Sequence, residues 1–157
     1  MIRHARIPAV VAMVVTATIG LAVFAATVQF RRSDVSHMSL ADLEKKIVGS
    51  KDARVWLAYG DRQRDQGRFD RAAQAYQKAA ELQGDLMEAR LGQGLALGQA
   101  AAGGKEKADA FFEYVVRLAG MYPKVALQLM ERPELRPLHA DERWDPTAAG
   151  VKAQAVD

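Results

Sequence analysis

The stretch that decides the fold is residues 53–84, ARVWLAYGDRQRDQGRFDRAAQAYQKAAELQG. Both halves of this stretch place small and aromatic residues at helical spacing: Trp56 and Gly60 in the first half, Ala72, Tyr76 and Ala79 in the second. Gly67 lies between the halves, where a chain that leaves a helix commonly needs a positive φ angle. The pattern therefore predicts a helical hairpin, in which small residues let the two helices approach and aromatic rings fill the space beside them.

A second, degenerate copy of this pattern follows. Its small and apolar residues again fall at helical spacing: Leu91, Gly94 and Leu97, then Ala108, Phe112 and Val115. Arg90 stands where the first copy has Trp56, and the small residues 101–104 make the turn about two residues longer than a standard one. Two such copies need a neighbour on both sides to bury a core, so we expect capping helices around them.

Two flanking segments are predicted to be these caps. Ser39 is followed three residues later by Asp42, and this pair is a capping box that begins a short amphipathic helix over residues 39–48. Pro123 suits the first turn of another helix, which is expected to end at about Met130. Four to six helices in one all-α domain is the architecture that these segments predict.

Residues 7–30 carry no charge. As a helix this segment spans roughly 36 Å, against a hydrocarbon core of about 30 Å. A cleavable signal peptide is the alternative, although its apolar region is normally only about 7–15 residues long. We therefore expect an uncleaved single-pass anchor. The arginines on its two sides do not separate the two orientations, and the usual cytoplasmic placement of a short N-terminal tail puts the rest of the chain outside.

These segments together give an expected domain organisation. The last residues are small and polar, so no packed structure is expected for them. The expected boundaries are a membrane anchor with a short cytoplasmic N-terminus at 1–32, a linker at 33–38, a domain of helical hairpins with capping helices at 39–144, and a disordered tail at 145–157.

The composition of the 157-residue chain disfavours several classes of function. It has no cysteine and only three dispersed histidines, which speaks against thiolate chemistry and against a metal site. The first thirty residues hold two arginines and no acid, which leaves 20 basic and 19 acidic residues and no patch suited to nucleic acid. The sequence also shows no pairing of a nucleophile with a base that would indicate catalysis. We therefore expect a binding scaffold with no cofactor, and not an enzyme.

The first helix of each predicted hairpin supplies the candidate binding surface. Stacked hairpins expose their first helices on one concave side, and such surfaces bind proteins or peptides. The candidate partner-binding residues are Arg54, Leu57, Asp61 and Arg64 on one helix, and Leu91 and Leu95 on the next. The alternative is that these mixed charges form ordinary solvated surface.

The spacing that starts at Trp56 and runs through Gly67 to Ala79 resembles the tetratricopeptide repeat superfamily. The resemblance departs from the family pattern at Gly84, which replaces a terminal proline, and at Gln63, where a tyrosine is common. A membrane segment, then a short leucine-bearing helix, then this hairpin is an arrangement similar to bacterial CycH-type cytochrome c biogenesis proteins. In place of that family's acidic-proline turn, this chain has residues 49–52, Gly-Ser-Lys-Asp.

The resemblance implies an inner-membrane protein whose helical domain lies in the periplasm and holds apocytochrome c for haem attachment. Two other interpretations stay open. One is a general cell-envelope scaffold or chaperone cofactor with no role in a haem pathway. The other is an accessory subunit of an enzyme, which is disfavoured because no catalytic constellation is visible in the sequence.

Overall fold

The computed structural model describes residue 35 and residues 37–156. The chain divides between Met38 and Ser39 into two units, and every helix discussed here belongs to the second. Within its described residues that unit is built of helices alone, which confirms the all-α prediction. The α-helices are α1 (Leu40–Ile47), α2 (Ala53–Asp65), α3 (Phe69–Leu82), α4 (Met87–Ala100), α5 (Lys105–Met121), α6 (Pro123–Met130) and α7 (Trp144–Ala155), and 3-10 segments lie at Ala101–Gly103 and Pro133–Ala140.

The predicted membrane anchor, residues 7–30, lies outside the described part of the chain, as does most of the predicted linker. Among the residues that the structure does describe, no helix is both long enough and apolar enough to cross a bilayer. The membrane segment and its orientation therefore stay predictions.

Local capping signals begin the first helices where the sequence predicts them. The Ser39 hydroxyl accepts a hydrogen bond from the Asp42 amide at 3.2 Å and donates one to the Asp42 carboxylate at 2.6 Å, at the start of α1. The Asp52 carboxylate accepts from the Arg54 amide at 2.9 Å and so caps α2. Gly67, with a φ of 71°, makes the turn from α2 into α3, a conformation that glycine adopts without a steric penalty.

Consecutive helices pair as three hairpins: α2 with α3, α4 with α5, and α6 with α7. Neighbouring hairpins also touch, since α3 packs along α4, the first helices α2, α4 and α6 contact one another in turn, and the second helices α5 and α7 meet. Helix α1 packs on α2 through the fully buried Leu43. The described domain is therefore a repeat-like stack of hairpins with α1 at one end.

The prediction of a disordered tail at residues 145–157 is wrong for residues 145–155, which are helical. Helix α7 begins at Trp144, runs to Ala155, and packs on α5 and α6 as the second helix of the third hairpin. Trp144 is 6 % exposed and stacks on Phe111, with ring centroids 6.4 Å apart, while Val151 is 2 % exposed. Two apolar anchors are enough to order this weakly apolar segment because a core already exists for them to join. The helical domain thus extends beyond its expected end at residue 144.

The main hydrophobic core lies between α4, α5, α6, α7 and the second 3-10 segment. Large side chains that are wholly buried in it are Phe111, Val115, Leu129 and Leu135. Two smaller clusters, mostly of alanines, join α2 and α3 to α4, with the buried Tyr76 in one of them. Small residues at these contacts bring α2, α3 and α4 close together.

In each of the first two hairpins, a tyrosine ring of the second helix packs against a glycine of the first helix. An added Cβ on Gly60 would lie 2.8 Å from Tyr76 Cε1, and one on Gly94 would lie 3.0 Å from Tyr114 Cε1. The sequence pattern places Phe112 at this position of the second hairpin, but in the structure Tyr114 occupies it. Tyr114 follows Gly94 by four residues more than Tyr76 follows Gly60, and about one helical turn of extra chain keeps the same helix face.

An equivalent hydrogen bond also opens each of these hairpins. The Trp56 indole Nε1 donates to the Ser50 carbonyl at 3.0 Å, and Arg90 Nη2 donates to the Gly84 carbonyl at 2.8 Å. Both the donors and the acceptors are 34 residues apart in the chain. Arg90 therefore does for the second hairpin what Trp56 does for the first. Trp56 itself is half-buried rather than enclosed between α2 and α3.

Candidate partner-binding surface

Helix α2 carries four of the predicted partner-binding residues. Arg54 is exposed, while Leu57, Asp61 and Arg64 are half-buried. Leu57 packs against both alanine-rich clusters beneath it, so only part of its side chain is accessible to a partner. Arg64 Nη2 lies 4.0 Å from Asp61 Oδ1, at the outer limit of an ion pair. Arg54 makes no ion pair within the described part of the chain, so the α2 face offers its charge beside a partly covered leucine and a weakly paired acid.

Asp61 has a structural partner that the sequence pattern did not reveal. Its Oδ1 accepts a hydrogen bond of 2.6 Å from the hydroxyl of the buried Tyr76. Burial, followed by this hydrogen bond to a carboxylate, raises the pKa of Tyr76 far above its ordinary value. The carboxylate thus fastens α2 to α3, and only part of its hydrogen-bonding capacity is left for a partner.

The two remaining candidates both lie on helix α4 and differ in burial. Leu91 is half-buried and packs against the edge of the main core. Leu95 is 4 % exposed and belongs to that core, so the prediction that it contacts a partner is wrong. The α6–α7 hairpin and the second 3-10 segment build the rest of this core, and the sequence pattern gave no third hairpin to cover Leu95. Leu91 remains as the apolar candidate on α4.

The candidate residues of α2 and α4 are held together by Tyr76. An added Cβ on Gly60 of α2 would meet the Tyr76 ring at 2.8 Å, and one on Gly92 of α4 would meet it at 2.7 Å. The ring is therefore wedged between two glycine backbones, beside both Asp61 and Leu91. Because interiors packed this closely do not deform easily, α2 and α4 present a pre-formed surface.

A cleft of about 1150 Å³ lies at the edge of the stack where the hairpins turn. Its walls come from the start of α3, the end of α4, the start of α5 and the segment that leads into α7, and they include Phe69, Gln99, Leu138 and Arg143. The sequence signals for this edge were the glycine and proline turn residues, which mark turns but not a cavity. Both charge signs line the cleft, so its electrostatics favour neither an anion nor a cation.

Arg143 fastens α7 to α5 beside this cleft. Its Nε and Nη2 donate to the two carboxylate oxygens of Asp141 at 2.8 Å each, and its Nη1 pairs with Asp109. The guanidinium also lies 4.5 Å from the centre of the Phe112 ring. The hydrogen bonds from Arg143 lower the pKa of Asp141 to about 2. Arg143 is thus a clamp between helices.

No grouping of three or more histidine, cysteine, aspartate or glutamate side chains within the described residues could hold a metal ion. Comparisons with protein-family models, with curated proteins and with solved structures found no match to this chain. The resemblance to tetratricopeptide repeats therefore rests on the residues and geometry described above.

Proposed function

We propose that this chain is a tetratricopeptide-like scaffold that binds a polypeptide partner across α2 and α4. The observation that carries the proposal is the wedge of Tyr76 between Gly60 and Gly92, which holds the exposed faces of two successive first helices in one fixed arrangement. A surface that needs no reordering loses less entropy when a partner binds.

The repeat character of the stack supports the proposal. Two hairpins share a glycine–tyrosine contact between their helices and a hydrogen bond at their start. The hydrogen-bonded residues and the two glycines recur with a period of 34 residues. A period of this length is typical of tetratricopeptide arrays, whose first helices form peptide-binding surfaces. The third hairpin provides the neighbour that such a stack needs.

The proposed binding surface consists of Arg54, Leu57, Asp61 and Arg64 on α2 and Leu91 on α4. Leu57 and Leu91 supply partly accessible apolar area, and the two arginines supply charge. A polypeptide segment with an apolar side chain and a nearby carboxylate suits this combination. Burial of apolar area gives the larger share of the affinity, because an exposed ion pair is usually worth less than about 1 kcal/mol.

The location and the partner class are part of the same proposal. The uncharged run at residues 7–30 is proposed to anchor the chain in a bacterial inner membrane, with the hairpins in the periplasm. The order of membrane segment, short helix and hairpin suggests apocytochrome c as the partner during cytochrome c maturation. A general cell-envelope scaffold with another partner is the alternative, and it uses the same surface.

Titration of the purified full chain with an apocytochrome c peptide, beside an unrelated amphipathic peptide of equal length and charge, tests the proposal. Arg54→Glu is expected to weaken binding by roughly fivefold, the scale of one exposed charge contact. Arg71→Glu on α3 is the matched control, since Arg71 is equally an exposed arginine but lies off the proposed surface. Leu57→Ser should weaken binding further while circular dichroism remains unchanged.

The possible outcomes test the cytochrome partner and the binding surface separately. Equal affinity for the two peptides, with both still sensitive to Arg54→Glu, removes the cytochrome partner and leaves a general scaffold. Affinity that responds equally to Arg54→Glu and Arg71→Glu, or to neither, overturns the binding surface itself. Leu95→Asp should unfold the domain rather than act selectively on binding, because Leu95 belongs to the core.

A further inference from the structure

The outer face of α5 carries an apolar side chain that nothing in the described domain covers. Val116 lies at the middle of this face and is 61 % exposed. A hollow of about 550 Å³ lies beside Val116, and its walls include Phe112 and Arg143. Apolar side chains that cluster around a hollow are a common feature of protein interfaces. This face is separate from the proposed peptide-binding surface on α2 and α4.

Two opposite charges border the same hollow. Glu113 lies three residues before Val116, and Arg117 lies one residue after it, so both fall on one flank of the helix face. Both side chains line the hollow. Within the described residues neither makes an ion pair, although four-residue spacing would allow them to pair with each other. The face thus offers an apolar centre with an acid and a base beside it that have no ion-pair partner among the described residues.

We propose that a second copy of this chain covers the face, with the two α5 helices antiparallel about a two-fold axis at Val116. Such an axis places Val116 against Val116 of the second copy, and it leaves room for close approach at Gly120, whose added Cβ would have no described atom within 4 Å. Glu113 of one copy then lies beside Arg117 of the other, offset by about 3 Å along the helix axis. The contact occurs twice, because a two-fold interface repeats every pair.

The charge pattern is what selects a second copy over another partner. An acid before Val116 and a base after it are complementary to the same sequence run in the opposite direction. A parallel arrangement would put Glu113 beside Glu113 and Arg117 beside Arg117, and like charges in contact disfavour an interface. The face therefore fits an antiparallel copy of itself.

Site-directed disulfide cross-linking of the full chain tests this proposal. The sequence has no cysteine, so Val116→Cys introduces the only thiol. A disulfide needs Cβ atoms about 3.5–4.5 Å apart, a distance that only residues at the axis reach. Val48→Cys, directly after α1, is the matched control, since Val48 is 82 % exposed and thus more accessible than Val116. Val116→Cys is expected to give a covalent dimer under mild oxidation in yields at least several times those of the control.

Charge reversal in the Val116→Cys background then tests the orientation. Glu113→Arg or Arg117→Glu alone places like charges in contact twice and should reduce the dimer yield by about fivefold or more. The double reversal restores complementarity and should restore the yield. Equal dimer yields from Val116→Cys and Val48→Cys overturn the proposal, and so do yields that the single charge reversals leave unchanged. Capture of a different protein at Val116 in place of the second copy also overturns it.

Discussion

Replacing Gly92 by alanine adds one methyl group at the junction of α2, α3 and α4. The new Cβ would lie 2.7 Å from Tyr76 Cε1 and 2.8 Å from two more ring atoms, which is closer than carbon atoms approach. The ring has no room to retreat. Gly60 faces it at 2.8 Å from its own added Cβ, its hydroxyl is bonded to Asp61, and the whole side chain is 0 % exposed.

Two opposing terms decide the magnitude for Gly92→Ala. Alanine is a better helix former than glycine by about 1 kcal/mol, which favours the variant. Overpacking of a closed core costs about 1–3 kcal/mol, and three ring atoms trapped on both sides place this site at the upper end. The net expectation is a free energy of unfolding lower by about 2 kcal/mol. With a urea dependence of about 2 kcal/mol per molar, the unfolding midpoint should fall by about 1 M.

Urea unfolding of the unit that starts at Ser39, followed by circular dichroism, measures this change. Gly120→Ala on α5 is the matched control, because no atom of the described chain lies within 4 Å of its added Cβ. That variant should be neutral, or more stable by up to about 1 kcal/mol. In a Tyr76→Leu background the penalty of Gly92→Ala should shrink, since the ring is gone. A Gly92→Ala variant as stable as the parent protein would refute the wedge.

Three further predictions concern stability. Gln63 is 0 % exposed, and both its side-chain amide atoms lack a hydrogen-bond partner among the described residues. Gln63→Met should therefore raise the free energy of unfolding by about 1 kcal/mol, while Gln74→Met on the surface of α3 should not. Asp141 has a lowered pKa of about 2, so its contribution to the free energy of unfolding is complete above the ordinary pKa near 4 and is lost as the pH falls from there towards 2. In Asp141→Asn the urea midpoint should therefore depend less on pH between 4 and 2. An unchanged pH dependence in that window would contradict the Arg143 clamp. Trp144→Ala should cost about 3–5 kcal/mol, whereas a disordered tail would give no change in the urea midpoint.

Local signals were enough to predict most helices of the domain. Helices α2 and α3 form the hairpin predicted over residues 53–84, and α6 runs from Pro123 to Met130 as expected. Strong helical periodicity and turn residues such as Gly67 determine these elements without help from distant residues. The hairpin of residues 53–84 is therefore a property of the local sequence.

Tertiary contacts decided the features that the sequence pattern missed. Helix α7 carries few apolar residues, and its order depends on Trp144 meeting a core formed by other helices. Leu95 shows helical spacing suited to an exposed face, yet the third hairpin buries it. Arg90 seemed to break the repeat, and only its hydrogen bond to Gly84 shows that it takes the place of Trp56. Each of these outcomes needs residues far apart in the chain.

The burial of Leu95 limits the apolar area of the proposed peptide-binding surface and separates it from the proposed dimer face on α5. With Leu95 in the core, the apolar part of the peptide surface contracts to Leu57 and Leu91, beside the Tyr76 wedge. The uncovered Val116 lies on α5, the other helix of the hairpin that carries Leu91. One hairpin thus contributes one helix to each surface, and a polypeptide on α4 does not compete for the outer face of α5. A dimer through α5 would then carry two peptide sites, which lets two weak sites on one partner act together with a combined affinity above that of either.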